Sequence, residues 1–216
     1  MDNESIDGKL LFARNAITNG RDVEAISTVI TSYGYDLATM NEGMALLDTT
    51  AGLQAKQKQE YGEQYAATDA FQVARAAMNK TYMRQVKLAR IGLKGDKANY
   101  EALQLSGGRK QAFPGWLQQA KAFYTNVMLS PVALAALAKF NTSQEELTAA
   151  SLELTALEQK YNEQLKEKGE AQAATEARDK ALDDLEEWMS DYIAVARIAL
   201  EDEPQLLEML GIVKGS

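Results

Sequence analysis

This sequence repeats itself. Residue i and residue i+107, compared without gaps, are identical at 21 of the first 107 positions, about a fifth where chance gives roughly 7%. Glu60, Gly62, Glu63, Ala66, Ala67, Thr68 and Ala70 fall on Glu167, Gly169, Glu170, Ala173, Ala174, Thr175 and Ala177. Ala89-Arg90-Ile91 falls on Ala196-Arg197-Ile198, and Glu101 and Leu103 fall on Glu208 and Leu210. One offset holds along the whole chain, so the sequence reads as two tandem repeats, 1–107 and 108–216. Whatever one half folds into, the other must fold into as well.

That common fold is all-α. There are only three prolines among 216 residues, while Ala, Leu, Gln, Glu and Lys are plentiful and no run alternates apolar and polar as a strand does. Each repeat is expected to hold a short helix a, a short helix b, a long helix and a short helix c. In repeat one these lie at about 4–19, 22–32, 36–93 and 97–105; in repeat two at about 115–128, 131–139, 143–201 and 204–210. Asp36 and Ser143 are equivalent N-cap residues. Ser143-Gln144-Glu145-Glu146 has capping-box spacing, and Ser130-Pro131 offers a cap followed by proline at the first helical position.

A long helix cannot bury a face against its short neighbours alone. The two long helices are therefore expected to pair antiparallel in a coiled-coil-like middle, with the short helices forming a bundle at each end. Ala66, Ala70 and Ala74, with Ala173, Ala177 and Ala181, recur every four residues and are expected to form a narrow seam. Large apolar residues (Met40, Met44 and Leu47; Leu185, Trp188, Met189, Tyr192 and Ile193) are expected to face the short helices. Gly62 and Gly169 each cost about 1 kcal/mol in a helix interior relative to Ala. Their recurrence makes a kinked, compact bundle the alternative.

Much chemistry is excluded by composition. The chain has no histidine and no cysteine, which removes triads, thiol nucleophiles and most transition-metal sites. A net charge of −8 argues against generic nucleic-acid binding. No apolar run approaches the roughly 18 residues of a membrane span, and the acidic start lacks the regions of a signal peptide. No cofactor is implied, and a cytoplasmic location is the expectation.

Four groups of residues remain as candidates. Glu60, Glu63, Glu167 and Glu170 are carboxylates at i,i+3 in both repeats; brought together they would suit a hard cation, although they also read as solvated helix surface. Arg90 and Arg197 each sit in an apolar run and need partners. Glu101 and Glu208, eleven residues on, are the expected ones, each pair fastening helix c. Third, aromatics (Phe113, Trp116, Phe123, Tyr124) with several methionines are expected to be core, with a greasy ligand pocket as the alternative. Last, Lys80, Arg84, Lys87 and Lys94 recur with helical spacing on one face, in line with Arg90, and Lys80, Arg84 and Lys94 have Glu187, Asp191 and Glu201 as their counterparts. Ser106-Gly107-Gly108-Arg109-Lys110 reads as a linker.

Grouped by the ends of an antiparallel pair, 1–62 with 175–216 carries 9 bases and 20 acids, while 63–174 carries 14 bases and 11 acids. The basic end is expected to meet an acidic partner, a second copy included. The sequence thus points to a non-enzymatic helical interaction or scaffold protein. Its rivals are a bundle that binds an apolar or amphipathic small ligand, and a carboxylate-metal enzyme.

Overall fold

Eight helices follow one another in the order expected. The structure, a computed structural model, describes residues 5–212. The helices are α1 (Ile6–Asp22), α2 (Glu24–Thr31), α3 (Leu37–Gly92), α4 (Lys97–Ala102), α5 (Phe113–Leu129), α6 (Pro131–Ala138), α7 (Gln144–Ala199) and α8 (Pro204–Met209). The described residues contain no strand. The lengths run 17, 8, 56 and 6 residues, then 17, 8, 56 and 6 again. Gly62 and Gly169 are both helical.

Local signals set these boundaries. The Asp36 carboxylate accepts from the Thr39 N–H at 3.0 Å, Ser130 Oγ from the Ala133 N–H at 3.1 Å, and Ser143 Oγ from the Glu146 N–H at 3.2 Å; each satisfies one free donor of a first turn. The four short helices α2, α4, α6 and α8 end alike. The N–H groups of Tyr35, Leu105, Thr142 and Ile212 each donate to a carbonyl five residues back. The preceding residues Gly34, Gln104, Asn141 and Gly211 hold φ of 90°, 50°, 53° and 77°. This is the Schellman arrangement, with its left-handed residue just past the helix.

The chain divides into two compact units, Met1–Gly62 with Gly169–Ser216 (unit 1) and Glu63–Lys168 (unit 2). Each unit takes residues from both halves of the sequence.

In unit 1, α3 and α7 run antiparallel: an added Cβ on Gly43 would lie 2.4 Å from the Trp188 ring, Thr50 Oγ1 donates to the Ala181 carbonyl at 2.9 Å, and Arg178 reaches Gln54 at 3.3 Å. Met40, Leu47, Leu185, Met189, Tyr192 and Ile193 close on Ala13, Ile17, Ile26 and Ile30 of α1 and α2 and on Leu207, Leu210 and Ile212 around α8. Tyr192 is fully buried and donates to the Ala16 carbonyl at 3.3 Å.

In unit 2 the helices are again antiparallel, with Gln164 bonded to Thr68 at 3.4 Å and Phe71 packed on Tyr161 at 5.4 Å between centroids. Tyr82 is the hub of the core, within 5.6 Å of both Trp116 and Phe123, and Tyr124 Oη donates to Gln85 at 2.6 Å in the interior. The aromatics of α5 are therefore core. Burial raises the Tyr82, Tyr124 and Tyr192 hydroxyl pKa values above the ordinary phenol range.

The buried stripe of the long helices follows a heptad, not a four-residue step. In unit 1 it runs Met40, Gly43, Leu47, Thr50, Gln54 on α3; in unit 2 it runs Leu147, Ala150, Leu154, Leu157 on α7. Spacings of 3 and 4 keep one face inward along a coiled pair, whereas steps of 4 rotate by about 40° each. Hence the expected alanine seam fails. Ala66, Ala70, Ala173 and Ala177 are exposed, Ala74 and Ala181 are half-buried, and the buried small residues along the long helices include Gly43, Ala150, Ala171 and Ala174.

No single helix among the described residues is long and apolar enough to cross a membrane. α5 and α6 together have the composition, but they bend by 97° at their junction and bury most of their apolar side chains, Leu129 and Val132 excepted, in the unit 2 core.

Candidate functional site

The four carboxylates fall into both units. Glu60 and Glu170 belong to unit 1, where their carboxylate oxygens lie within 4.8 Å of one another. Glu63 and Glu167 belong to unit 2. Glu63 is exposed; Glu167 is buried and accepts from Lys166 at 2.9 Å. That hydrogen bond, followed by one with Glu163, holds the Glu167 carboxyl below its usual range.

The arginines behave differently from expectation. Arg90 is half-buried on α3 and does not pair with Glu101. Its Nε donates to the Leu105 carbonyl at 2.9 Å and its Nη2 to the Gly107 carbonyl at 2.7 Å. Glu101 instead accepts from Ser106 Oγ at 2.9 Å. Arg90 thus fastens the chain just past α4 through carbonyls left free at the helix end, which suit a guanidinium as well as a carboxylate does. Arg197 is exposed, and among the described residues no Arg197–Glu208 pair forms.

Arg109, in the segment read as a linker, is built into unit 2. It donates to the Tyr82 hydroxyl at 3.0 Å and to the Gln104 carbonyl at 2.6 Å. Arg75 lies 5.6 Å from the Phe113 centroid and donates to the Gln111 carbonyl at 2.8 Å. With Lys110, Asn79 and Trp116 these line a cleft of about 490 Å³. Nothing in a Gly-Gly-Arg-Lys stretch signals this, because the contact with Tyr82 lies 27 residues away in sequence and that between Arg75 and Gln111 36.

Lys80, Arg84 and Lys87 are exposed on α3 in unit 2, and Lys94 is exposed in the turn just past its end. Positions 80, 84 and 87 lie on the outer face of the same heptad that buries Tyr82 and Ala89. Among the described residues none of the four forms an ion pair. Lys80, Arg84 and Lys87 line an open groove of about 920 Å³ with Ala77, Met83 and Leu88. Val73 and Ile91, on the same face, are each 63% exposed. The surrounding unit has 14 basic and 10 acidic residues, a net charge of +4. Unit 1 has 9 basic and 21 acidic residues, a net charge of −12.

Unit 1 carries a second concavity of about 380 Å³, lined mainly by Phe12, Ala13, Leu182, Leu185, Met189 and Ile193, with Lys9 and Glu186 also on its wall and paired with each other.

The chain matches no protein-family model, no curated protein and no solved structure.

Proposed function

We propose that this chain is a non-enzymatic interaction protein that arose by tandem duplication and docks an acidic protein surface on the α3 face of unit 2. The observation that carries the reading is the set Lys80, Arg84, Lys87 and Lys94: three exposed cations on one face of α3 and a fourth in the turn just past it, none of them in an ion pair among the described residues. Surface charges of a merely solvated helix commonly pair at i,i+3 or i,i+4, as Lys180 does with Asp184 at 2.8 Å. An unpaired cationic row flanked by exposed Val73 and Ile91 offers both the long-range attraction and the apolar contact that a docking surface uses. The duplication is supported by eight helices whose lengths repeat in order and by left-handed caps at positions 34 and 141, and 104 and 211. The lack of histidine and cysteine supports the non-enzymatic part.

A labelled polyglutamate peptide tests the face directly. Binding is expected at low ionic strength, falling steeply with salt, and lost in the K80E/R84D/K94E variant. Equal binding by both proteins, or by neither, overturns the reading.

The unit 1 groove favours a second reading, an apolar or amphipathic small ligand held against Leu182, Leu185 and Met189. Saturable, stoichiometric binding of a fluorescent fatty-acid analogue supports it; only weak, unsaturable uptake overturns it.

A further inference from the structure

We infer that the acidic partner of the basic face is a second copy of this chain, docking through its own unit 1. This rests on the reading of the α3 face above and names its occupant. The counterpart of that face, 107 positions on, is an exposed row along the end of α7: Glu187, Asp191, Ala194 and Ile198 on the helix and Glu201 in the turn after it stand where Lys80, Arg84, Lys87, Ile91 and Lys94 stand along α3 and the turn after it. Three of the four cations thus have an acid in the equivalent place. Among the described residues Glu187, Asp191 and Glu201 form no ion pair; Asp184, one turn earlier, is held by Lys180. The exposed isoleucine recurs, 63% exposed at Ile91 and 61% at Ile198. The helical part of each row, 80–91 and 187–198, rises about 17 Å at 1.5 Å per residue, and the last charge follows in the turn beyond.

Two rows of equal length, opposite sign and matching apolar position are complementary to each other and each repels itself. Like rows facing one another would place cation against cation, so the contact is heterologous: one copy's α3 face against another's α7 face. Each copy then carries one basic and one acidic surface. Assembly either closes as a ring or a dimer that makes the contact twice, or it continues as a chain. A contact of this size, dominated by exposed charge, is weak and governed by salt.

Sedimentation velocity of the intact chain and two charge-swapped variants tests this. K80E/R84D/K94E carries two acidic rows, and E187K/D191R/E201K carries two basic rows; all six positions are exposed, so neither change touches a core. The wild type is expected to gain mass with concentration at roughly 0.01 M salt and to return to monomer at roughly 1 M, where the Debye length falls from about 30 Å to about 3 Å. Each variant alone is expected to stay monomeric, and their equimolar mixture to assemble again at low salt. A wild type that is monomeric at low salt overturns the inference while leaving the docking face intact if polyglutamate still binds. Assembly of either variant alone, or a mixture that stays monomeric while the wild type assembles, also overturns it.

Discussion

Gln104 and Asn141 hold the left-handed conformation that their counterparts Gly211 and Gly34 adopt without a side-chain penalty. Glycine carries no steric cost there, asparagine a reduced one and glutamine the full one, about 1–2 kcal/mol. Gln104→Gly is therefore expected to stabilise the chain by about 1 kcal/mol, seen as a rise in Tm of roughly 2–4 °C. Asn141→Gly is expected to gain less, and a fall in Tm for Gln104→Gly would contradict the cap. The aspartate caps predict a pH dependence. Asp36 and Asp96 are held below the usual carboxylate range, chiefly by the backbone N–H groups of Thr39 and Asn99. A depressed folded pKa gives stability that is complete above the unfolded value, near 3.9, and is lost as pH falls through the folded one. Asn caps equally well without titrating. The D36N/D96N variant should match the wild type in Tm near pH 7 and lose less than it does on acidification below about pH 4. Parallel Tm profiles would show that the carboxylates contribute nothing there. At this scale the sequence was readable where a contact spans three residues, as at Asp36, Ser130 and Ser143. It misled where partners come from the fold: Arg90 takes carbonyls of the chain beyond α4 and not the Glu101 carboxylate, eleven residues on.

The long helices show where pattern reading works and where it fails. Their ends lie within two residues of the boundaries expected from caps and composition, because a cap is local chemistry. Met40, Leu47, Leu185, Met189, Tyr192 and Ile193 face inward as expected, but the alanine seam does not, because alanines at steps of 4 coincide with the 3-4 heptad only over a turn or two. Ala74 stays half-buried, while Ala70 and Ala66 have rotated outward. Composition cannot supply that phase; only the partner helix does. The same distinction fixes the sign of three glycine substitutions. At Gly62 and Gly169 an added Cβ meets nothing within 4 Å, so alanine is expected to stabilise by about 1 kcal/mol at each through helix propensity. At Gly43 the Cβ would lie 2.4 Å from the Trp188 ring. There overpacking, typically 1–3 kcal/mol, outweighs propensity, and Gly43→Ala is expected to lower Tm. A destabilised G62A or a stabilised G43A, each measured by thermal melting, would contradict these packing assignments.

At the scale of the molecule, neither half of the sequence contains a complete unit. Unit 1 packs Ile17, Ile30 and Met40 of the first half against Tyr192, Leu200 and Leu210 of the second. Unit 2 packs Tyr82 and Val86 of the first half against Trp116, Phe123 and Leu154 of the second. A fragment ending at Gly107 keeps every helix of the first half yet loses the opposing wall of both cores. Helices of 17 and 8 residues with one uncovered face are marginal in water, and such a fragment exposes apolar area that stable monomers do not. Residues 1–107 alone are therefore expected to be weakly helical or to associate, and residues 108–216 likewise. The cut between Gly107 and Gly108 falls in an exposed segment outside any helix, so mixing the two fragments is expected to restore helicity as a 1:1 complex. That complex should melt below the intact chain, because joining two molecules costs entropy that the covalent link avoids. A fragment that folds alone as a stable helical monomer would mean that each half holds its own core, and the division of both cores between the halves would be wrong.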